Sequence, residues 1–493
     1  MPGRLIAPSD ILTAQGALGA EGLANRCRRL MAQAARGNPI LLPALVGSVA
    51  WSAGEVVTAG AVRSNDSGKA YICTTGGTCA GSGGPTGYGS AITDNTATWA
   101  YYGPQTAPLF YARTDVPAST TVTISKDSPA LRYGGGQIVG NSGGYALWCV
   151  SADPTSNATG ALRNTAGGTQ DALFGVGSFI EFETDAPVIC FDLKQNTAVA
   201  INALVTEVGR GAMQYVSDLT IFPNTTGTAA LAGHSLVVLD FTNCGGRRPR
   251  RIRLEMGSTV VFFNLRLGPN DTISAPSTAN RLKFGFLGDS WTEGNTQTVL
   301  GRRRGFAEIM SWLLGADECL ASGASGTGFI STTTTYTKNF QQRVSDVASP
   351  GAACDIIFIM GGVNDGAATT AQIQAAAAAC ITGIRALSTA PIVFLGCNAP
   401  NDLNNVSVML PRENAIAAAV AASGDAKTYF VPAIGASPAA FITGSGKAGS
   451  LTGSGNGDVY ITSGNHLNDA GYLYYGRRYA QLVAQIIQSA AWN

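Results

Sequence analysis

Ser290 stands just past an apolar run, in LKFGFLG followed by Asp289-Ser290-Trp291. A serine placed there can present its hydroxyl at the edge of a sheet while its own amide faces the same space. It can equally cap the helix that follows. Asn364 lies in a comparable turn, Gly361-Gly362-Val363-Asn364-Asp365, after the run DIIFIM. Its side-chain N–H is a neutral donor of the kind that holds a developing oxyanion, although Asn-Asp-Gly is also an ordinary turn. Between the two, the glycines of SGASGTG (322–328) let backbone N–H groups come close to a ligand. The chain has only two histidines. His234 falls in a strand-patterned stretch, LAGHSLVVLDF, and reads as structural. His466 falls in Ser463-Gly464-Asn465-His466-Leu467-Asn468, directly before the last helical stretch. A serine hydroxyl is a weak nucleophile until a neighbouring imidazole takes its proton. Together these residue types permit acyl transfer through Ser290, with His466 as the base.

These residues can meet only if the runs before them are strands of one sheet. LKFGFLG, ECLA, DIIFIMGG, PIVFLGCN and TYFVPA are short, and most are apolar on both faces, as central parallel strands require. Helical stretches separate them, among them GFAEIMSWLLG, AATTAQIQAAAAACITGIRALS, PRENAIAAAVAASG and DAGYLYYGRRYAQLVAQIIQSA. Strand alternating with helix predicts a parallel sheet covered on both faces over residues 278–493. Its site is then expected at the carboxyl ends of the strands, where Ser290, Asn364 and His466 fall.

In chain order, GDSWTEG, SGASGTG, GGVND and SGNHLNDAGY resemble blocks I, II, III and V of the SGNH (GDSL-type) hydrolases, over roughly residues 281–493. The resemblance implies a flavodoxin-like α/β/α sandwich, Ser290 as nucleophile and His466 as base. It also implies an oxyanion hole built from the Ser290 amide, the Gly326 amide and the Asn364 side chain, with no metal or organic cofactor. The family usually carries an Asp three residues before the histidine, and here that position is Ser463. Three resolutions stand open: a backbone carbonyl or water orients His466, Asp458 reaches in from the loop, or catalysis is slow. A Ser-His dyad with a carbonyl or water partner is preferred.

The rest of the chain divides into three. Residues 1–46 hold a helical stretch, AEGLANRCRRLMAQAARGN, expected as a segment of its own and a candidate for virion attachment. Residues 47–104 form a small β-rich module whose Trp51, Tyr71, Trp99, Tyr101 and Tyr102 either stack on sugars or make the module's own core. Residues 105–277 alternate short strands with turns and predict a β-sandwich, similar to the jelly-roll-like domains that precede SGNH domains in carbohydrate esterases. The 45% of hydrophobic and 13% of charged residues exclude global disorder, and a net charge of +1 argues against nucleic-acid binding. Arg247, Arg248, Arg250, Arg251 and Arg253, and then Arg302 to Arg304, are expected as solvated surface or as contacts to an acidic glycan. The Gly-rich stretch 442–457 is expected as a mobile surface loop. No apolar run reaches membrane-spanning length, and the N-terminus does not read as a signal peptide. Cys190, Cys354 and Cys397 are expected as buried thiols, and Cys73 and Cys79 could pair. The cysteine pattern fits folding in a reducing cytoplasm.

The aromatic module resembles those of bacteriophage tail proteins and of some carbohydrate-binding proteins. That resemblance implies a homotrimeric tail spike, folded in the host cytoplasm, which acts at the bacterial cell surface on a surface polysaccharide (capsule or O-antigen) and removes O-acetyl or short acyl groups. The alternative is a non-catalytic glycan-binding tail-fibre protein with a degenerate SGNH domain.

Overall fold

The computed structural model describes residues 23–34; 49–149 except 67–68, 88, 90, 105–107, 114, 135–136 and 143–144; 162–163; 178–278 except 195–198, 208–213, 222–233, 243, 245 and 257–260; 281–293; and 305–489 except 335, 397–405, 436–439 and 463–465. Cys397, Arg302 to Arg304 and Ser463 therefore lie outside the described residues.

The first helix, α1 (Leu23–Ala34), forms where the sequence predicts one. It is not a segment apart, however. Ala24 and Cys27 are buried in the same cluster as the C-terminal sheet, and Leu30 and Met31 pack against it. Arg26 pairs with Asp355, and Arg28 donates to the Gln488 carbonyl at 3.0 Å. Leucine and methionine spaced along one helical face make the helix amphipathic, and that face has to be covered. Here the C-terminal domain covers it.

In the module that follows, Tyr71 and Trp99 are fully buried in a core with Val57, Cys73 and Cys79. The indole N–H groups of Trp51 and Trp99 both donate to Asp94 Oδ2, at 2.8 and 3.0 Å. These aromatic rings are spent on the module's own interior, which a domain this small needs. The side chains of Tyr101 and Tyr102 lie outside the described residues. Cys73 and Cys79 are free thiols, and Cys73 donates to the Thr75 carbonyl. Cys190 is buried, as expected, and Cys354 only half-buried.

Two antiparallel sheets, of six and eight strands among the described residues, then form a sandwich. Alternate residues of each sheet, such as Ile180, Phe182, Ile252 and Leu254 from one and Phe191, Leu193, Val237 and Leu265 from the other, meet in one core. The arginine-rich strand Arg250–Met256 obeys the same alternation, with Ile252, Leu254 and Met256 facing that core. Arg251 and Arg253 consequently point to the opposite face, and there the C-terminal domain buries them. Glu181, with no exposure, accepts from Arg251 at 2.6 Å, Arg253 at 2.8 Å and Arg281 at 2.6 Å. Asp317 of the C-terminal domain accepts from Arg251 at 2.8 Å and from Arg253 at 2.9 Å. Burial alone would raise the pKa of Glu181, but Arg253, Arg251 and Arg281 overcome it and hold the carboxyl far below its usual range. The expectation of a solvated arginine surface is thus corrected for Arg248, Arg250, Arg251 and Arg253, whereas Arg247 is exposed, as expected, and pairs with Asp185 at 3.0 Å. Arg251 and Arg253 form a buried ionic joint between the two domains, and Arg250 lies over the Phe241 ring at 4.0 Å.

The C-terminal sheet contains β1 (Lys283–Gly288), β2 (Glu318–Gly323), β3 (Ile356–Met360), β4 (Ile392–Leu395) and β5 (Thr428–Val431). All pairings are parallel, in the order β2-β1-β3-β4-β5. This is the flavodoxin-like order, whose direction switches between β1 and β3. Along β3, Ile356, Phe358 and Met360 face one helical layer while Ile357 and Ile359 face the other. The first layer holds α1, α2 (Phe306–Leu313) and α3 (Asp469–Ser489). The second is built largely from Thr370–Arg385 and Val406–Ser423. Phe286 of β1 stacks on Phe358 of β3 at 4.7 Å, so the two strands that end at the switch point are also locked by their side chains. Among the described residues no helix is long and apolar enough to cross a membrane.

Candidate active site

Asp289 sets the turn that carries Ser290. After β1, the Asp289 side chain accepts from the Trp291 amide at 2.9 Å and its carbonyl accepts from the Glu293 amide at 2.9 Å. Asp289, not Ser290, therefore caps the short helix Ser290–Glu293, and the serine hydroxyl is released from that duty. Trp291, buried, packs edge-on against Tyr475 of α3 at 5.3 Å. That contact ties the turn of Ser290 to the helix that follows His466.

The histidine is set with similar economy. Ile461 and Leu467, both fully buried, pair as an antiparallel bridge, and the Thr462 amide donates to the His466 carbonyl at 2.6 Å. Asn468 caps α3, accepting from the Gly471 amide at 2.9 Å while its own amide nitrogen donates to the Val459 carbonyl at 2.6 Å. His466 projects half-buried from this short loop. Its Nε2 lies 2.9 Å from Ser290 Oγ, across 176 residues of chain. That is hydrogen-bond distance for a general base and its nucleophile. His234, by contrast, lies at the start of a strand inside the eight-stranded sheet of the β-sandwich, paired opposite Lys194.

The loop after β2 closes over the same space. Gly326 adopts φ +75°, and a side chain there would press within 2.6 Å of the Thr333 methyl group. Next to it, the Thr327 carbonyl accepts from Asn364 Nδ2 at 2.8 Å. An amide nitrogen carries two N–H groups, and the one given to Thr327 holds the loop. Asp365, fully buried, accepts from three successive loop amides: Phe329 at 2.9 Å, Ile330 at 3.0 Å and Ser331 at 2.9 Å. Ser325 donates to Glu293. Arg412 donates to the carbonyls of Gly362 and Val363 at 3.0 and 3.2 Å, which fixes the turn that carries Asn364. Ser290, Gly326, Asn364 and His466 are thus carried by neighbouring, mutually bonded loops at one end of the sheet.

Asp458 is spent elsewhere. Its carboxylate accepts from the amides of Thr452, at 3.0 Å, and Gly453, which folds the Gly-rich stretch back on the helix Gly457–Tyr460. Asn456 adds a second tie, accepting from the Thr443 amide at 2.8 Å. The stretch 442–457 lies at the surface as expected, but its turns are pinned by these two side chains. Position 463 lies outside the described residues. Sequence reasoning missed Arg343, Asp365, Glu293 and Arg412. Asp365 and Glu293 sit inside the motifs quoted above, whereas an Arg in NFQQRVSD or PRENA gives no sign that it is buried. Among the described residues no cluster of His, Cys, Asp and Glu could hold a metal ion.

Residues 286–474 match the sequence model of the GDSL-like Lipase/Acylhydrolase family. No curated protein sequence matches the chain. Among solved structures, the salicylyl-acyltransferase SsfX3 from a tetracycline biosynthetic pathway is 14% identical, with a TM-score of 0.51 over 74% of this chain and 98% of that one. A family two carbohydrate esterase from Cellvibrio japonicus is 13% identical, with a TM-score of 0.50 over 77% and 99%. A family two carbohydrate esterase from Clostridium thermocellum, in complex with cellohexaose, is 18% identical, with a TM-score of 0.46 over 65% and 94%. The C-terminal domain is under half of the chain. Similarities that cover 74% and 77% of it therefore take in the β-sandwich as well, and the fold they share is the two-domain one.

Proposed function

We propose that the GDSL-type hydrolase domain works as a serine esterase that removes O-acetyl or other short acyl groups from a carbohydrate. The observation that carries the reading is the 2.9 Å contact between His466 Nε2 and Ser290 Oγ. Ser290 Oγ attacks the ester carbonyl while its proton passes to Nε2. The resulting oxyanion is held by the amides of Ser290 and Gly326 and the Asn364 side chain. The oxyanion then collapses, the ester C–O bond breaks and His466 passes the proton to the leaving sugar oxygen, after which water releases the acyl group from Ser290 by the same steps. With Asp458 bonded to Thr452 and Gly453, the pair works as a Ser-His dyad oriented by a carbonyl or water. The substrate class draws support from the fold shared with the Cellvibrio japonicus carbohydrate esterase, whose β domain and hydrolase domain are both matched.

The wider setting belongs to the same proposal. The resemblance of residues 47–104 to modules of phage tail proteins supports a homotrimeric tail spike that deacylates a bacterial surface polysaccharide at the cell surface. Hydrolysis of p-nitrophenyl acetate by the wild-type chain, abolished in Ser290→Ala, tests the esterase. Equal rates for both would favour the glycan-binding alternative. Mass spectrometry of acetylated capsule or O-antigen before and after treatment tests the substrate. Loss of acetyl mass without chain cleavage is expected, and an unchanged spectrum on every acetylated polysaccharide tried refutes it.

A further inference from the structure

Arg343 is a guanidinium without any exposure, on the short helix Phe340–Arg343 in the layer behind the active-site loops. Burial alone pulls its pKa down, an effect that the nearby Asp346, Asp289 and Glu293 oppose. A charge taken this far from water is costly, and an apolar side chain would fill the same space at less cost. What the arginine supplies is a rigid fork of donors.

That fork reaches three segments. Nη2 donates to the Gly288 carbonyl at 2.8 Å, two residues before Ser290, and to Thr327 Oγ1 at 3.1 Å, one residue after Gly326. Nη1 donates to the carbonyl and the hydroxyl of Ser322, both at 3.2 Å. Ser322 in turn donates to Asp346 at 2.6 Å, which balances the charge. The same Gly288 carbonyl also accepts from the Ala324 amide at 3.1 Å, and Thr327 Oγ1 donates to the Ala324 carbonyl at 2.7 Å. Arg343, Gly288, Ala324 and Thr327 therefore close a ring of hydrogen bonds, and Gly326 lies on the arc of backbone inside it.

We propose that Arg343 is the positioning residue of the oxyanion hole, holding the turn that carries the Ser290 amide and the loop that carries the Gly326 amide at a fixed separation. The proposal rests on the esterase reading. Arg343 touches no reacting atom. It acts through two backbone segments whose donors have to point at one oxygen, and a misplacement of about 1 Å there can cost about 100-fold in rate.

Three variants test it: Arg343→Lys, Arg343→Met and Thr327→Val. Each is assayed for kcat and KM on p-nitrophenyl acetate, for inhibition by phenylboronic acid as a tetrahedral mimic, and for thermal unfolding. Arg343→Lys keeps the charge against Asp346 but, with a compact ammonium in place of the planar fork, cannot span the four acceptor atoms on the three segments. Thr327→Val keeps the shape and removes one of them. Both should lower kcat about tenfold or more with KM nearly unchanged, and boronate affinity should fall in step with kcat. If Arg343→Met does not fold, Thr327→Val decides. Folded Arg343→Lys or Thr327→Val protein with wild-type kcat and boronate affinity overturns the proposal. So does activity that returns fully once the assay is cooled below the variant's unfolding range. A wild-type chain that shows no Ser290-dependent hydrolysis would instead overturn the esterase reading itself.

Discussion

Asp289 offers a titration that can be followed in the folded protein. Its carboxyl has no exposure, one oxygen accepts from the Trp291 amide at 2.9 Å, and the other finds no partner among the described residues. Burial drives its pKa from the ordinary 3.8 to about 7, with Asp365 pushing the same way and Arg343 against it. The group therefore holds its proton in the folded chain over a range in which the unfolded chain has lost it. Its contribution to stability is complete below pH 3.8, falls as pH rises from there, and is exhausted above about pH 7. A rise of about three pH units, at about 1.4 kcal/mol each, sets a ceiling of about 4 kcal/mol. Asp289→Asn copies the protonated carboxyl in shape and keeps the oxygen that accepts from Trp291, but it cannot ionise. Relative to wild type the variant should gain stability steadily between pH 4 and 7, by up to about 4 kcal/mol, and no further above. Urea unfolding of both proteins at matched ionic strength, from pH 4 to 8, gives the difference curve, in which titrating groups distant from Asp289 cancel. A flat difference, or one that falls with pH, would show that Asp289 is ionised in the folded state and refute the reasoning.

Other outcomes follow from the same geometry. Asn364→Ala should cut kcat by about 100- to 1,000-fold with a small change in KM, since a lost oxyanion donor costs roughly 2.7–4 kcal/mol of barrier; steady-state kinetics on p-nitrophenyl acetate reads it. Asp458→Asn should leave turnover within about twofold of wild type, because that carboxylate serves Thr452 and Gly453; a loss near the 10⁴-fold seen on removing a triad carboxylate would make it the third member after all. Glu181→Ala leaves the guanidiniums of Arg251, Arg253 and Arg281 with Asp317 alone, and should destabilise the chain by about 3–5 kcal/mol, read by calorimetry.

The sequence and the structure agree where a pattern is carried by the backbone itself. β3 is legible as IIFIM because a central parallel strand is apolar on both faces, and the turn that follows it is legible because Gly362 sits at φ +120°. Scarcity did the same for His466: with two histidines in the chain, the one after the last strand of a parallel sheet was the one to expect beside Ser290, and its Nε2 lies 2.9 Å from Ser290 Oγ. Arg343 and Arg253 were opaque for the opposite reason. A buried arginine is spelled like an exposed one, and only the partners, Gly288 and Thr327 for one and Glu181 and Asp317 for the other, reveal its place. Those partners lie 16 to 72 residues away in the chain, beyond any local period. The alternation along Arg250–Met256 did contain the answer in part, since apolar residues at 252, 254 and 256 send 251 and 253 to the other face. What it lacked was the knowledge that a second domain lies on that face.

The same physics explains why the charged groups gather where they do. Parallel strands end together, and their loops leave backbone N–H and C=O groups that no sheet pairing satisfies. Asp365 accepts three such N–H groups, Arg343 and Arg412 donate to the carbonyls of Gly288, Ser322, Gly362 and Val363, and Asn364 donates to that of Thr327. Each side chain is costly to bury, yet each fixes a loop that water would otherwise solvate in many conformations. A site that must aim two backbone amides and one side chain at a single oxygen gains more from that rigidity than from a drier core. On this argument, replacing Arg412 by Met should cost turnover before it costs stability, because the turn it holds carries Asn364. A variant whose unfolding temperature falls while kcat at low temperature stays at the wild-type value would show that these charges serve the fold alone.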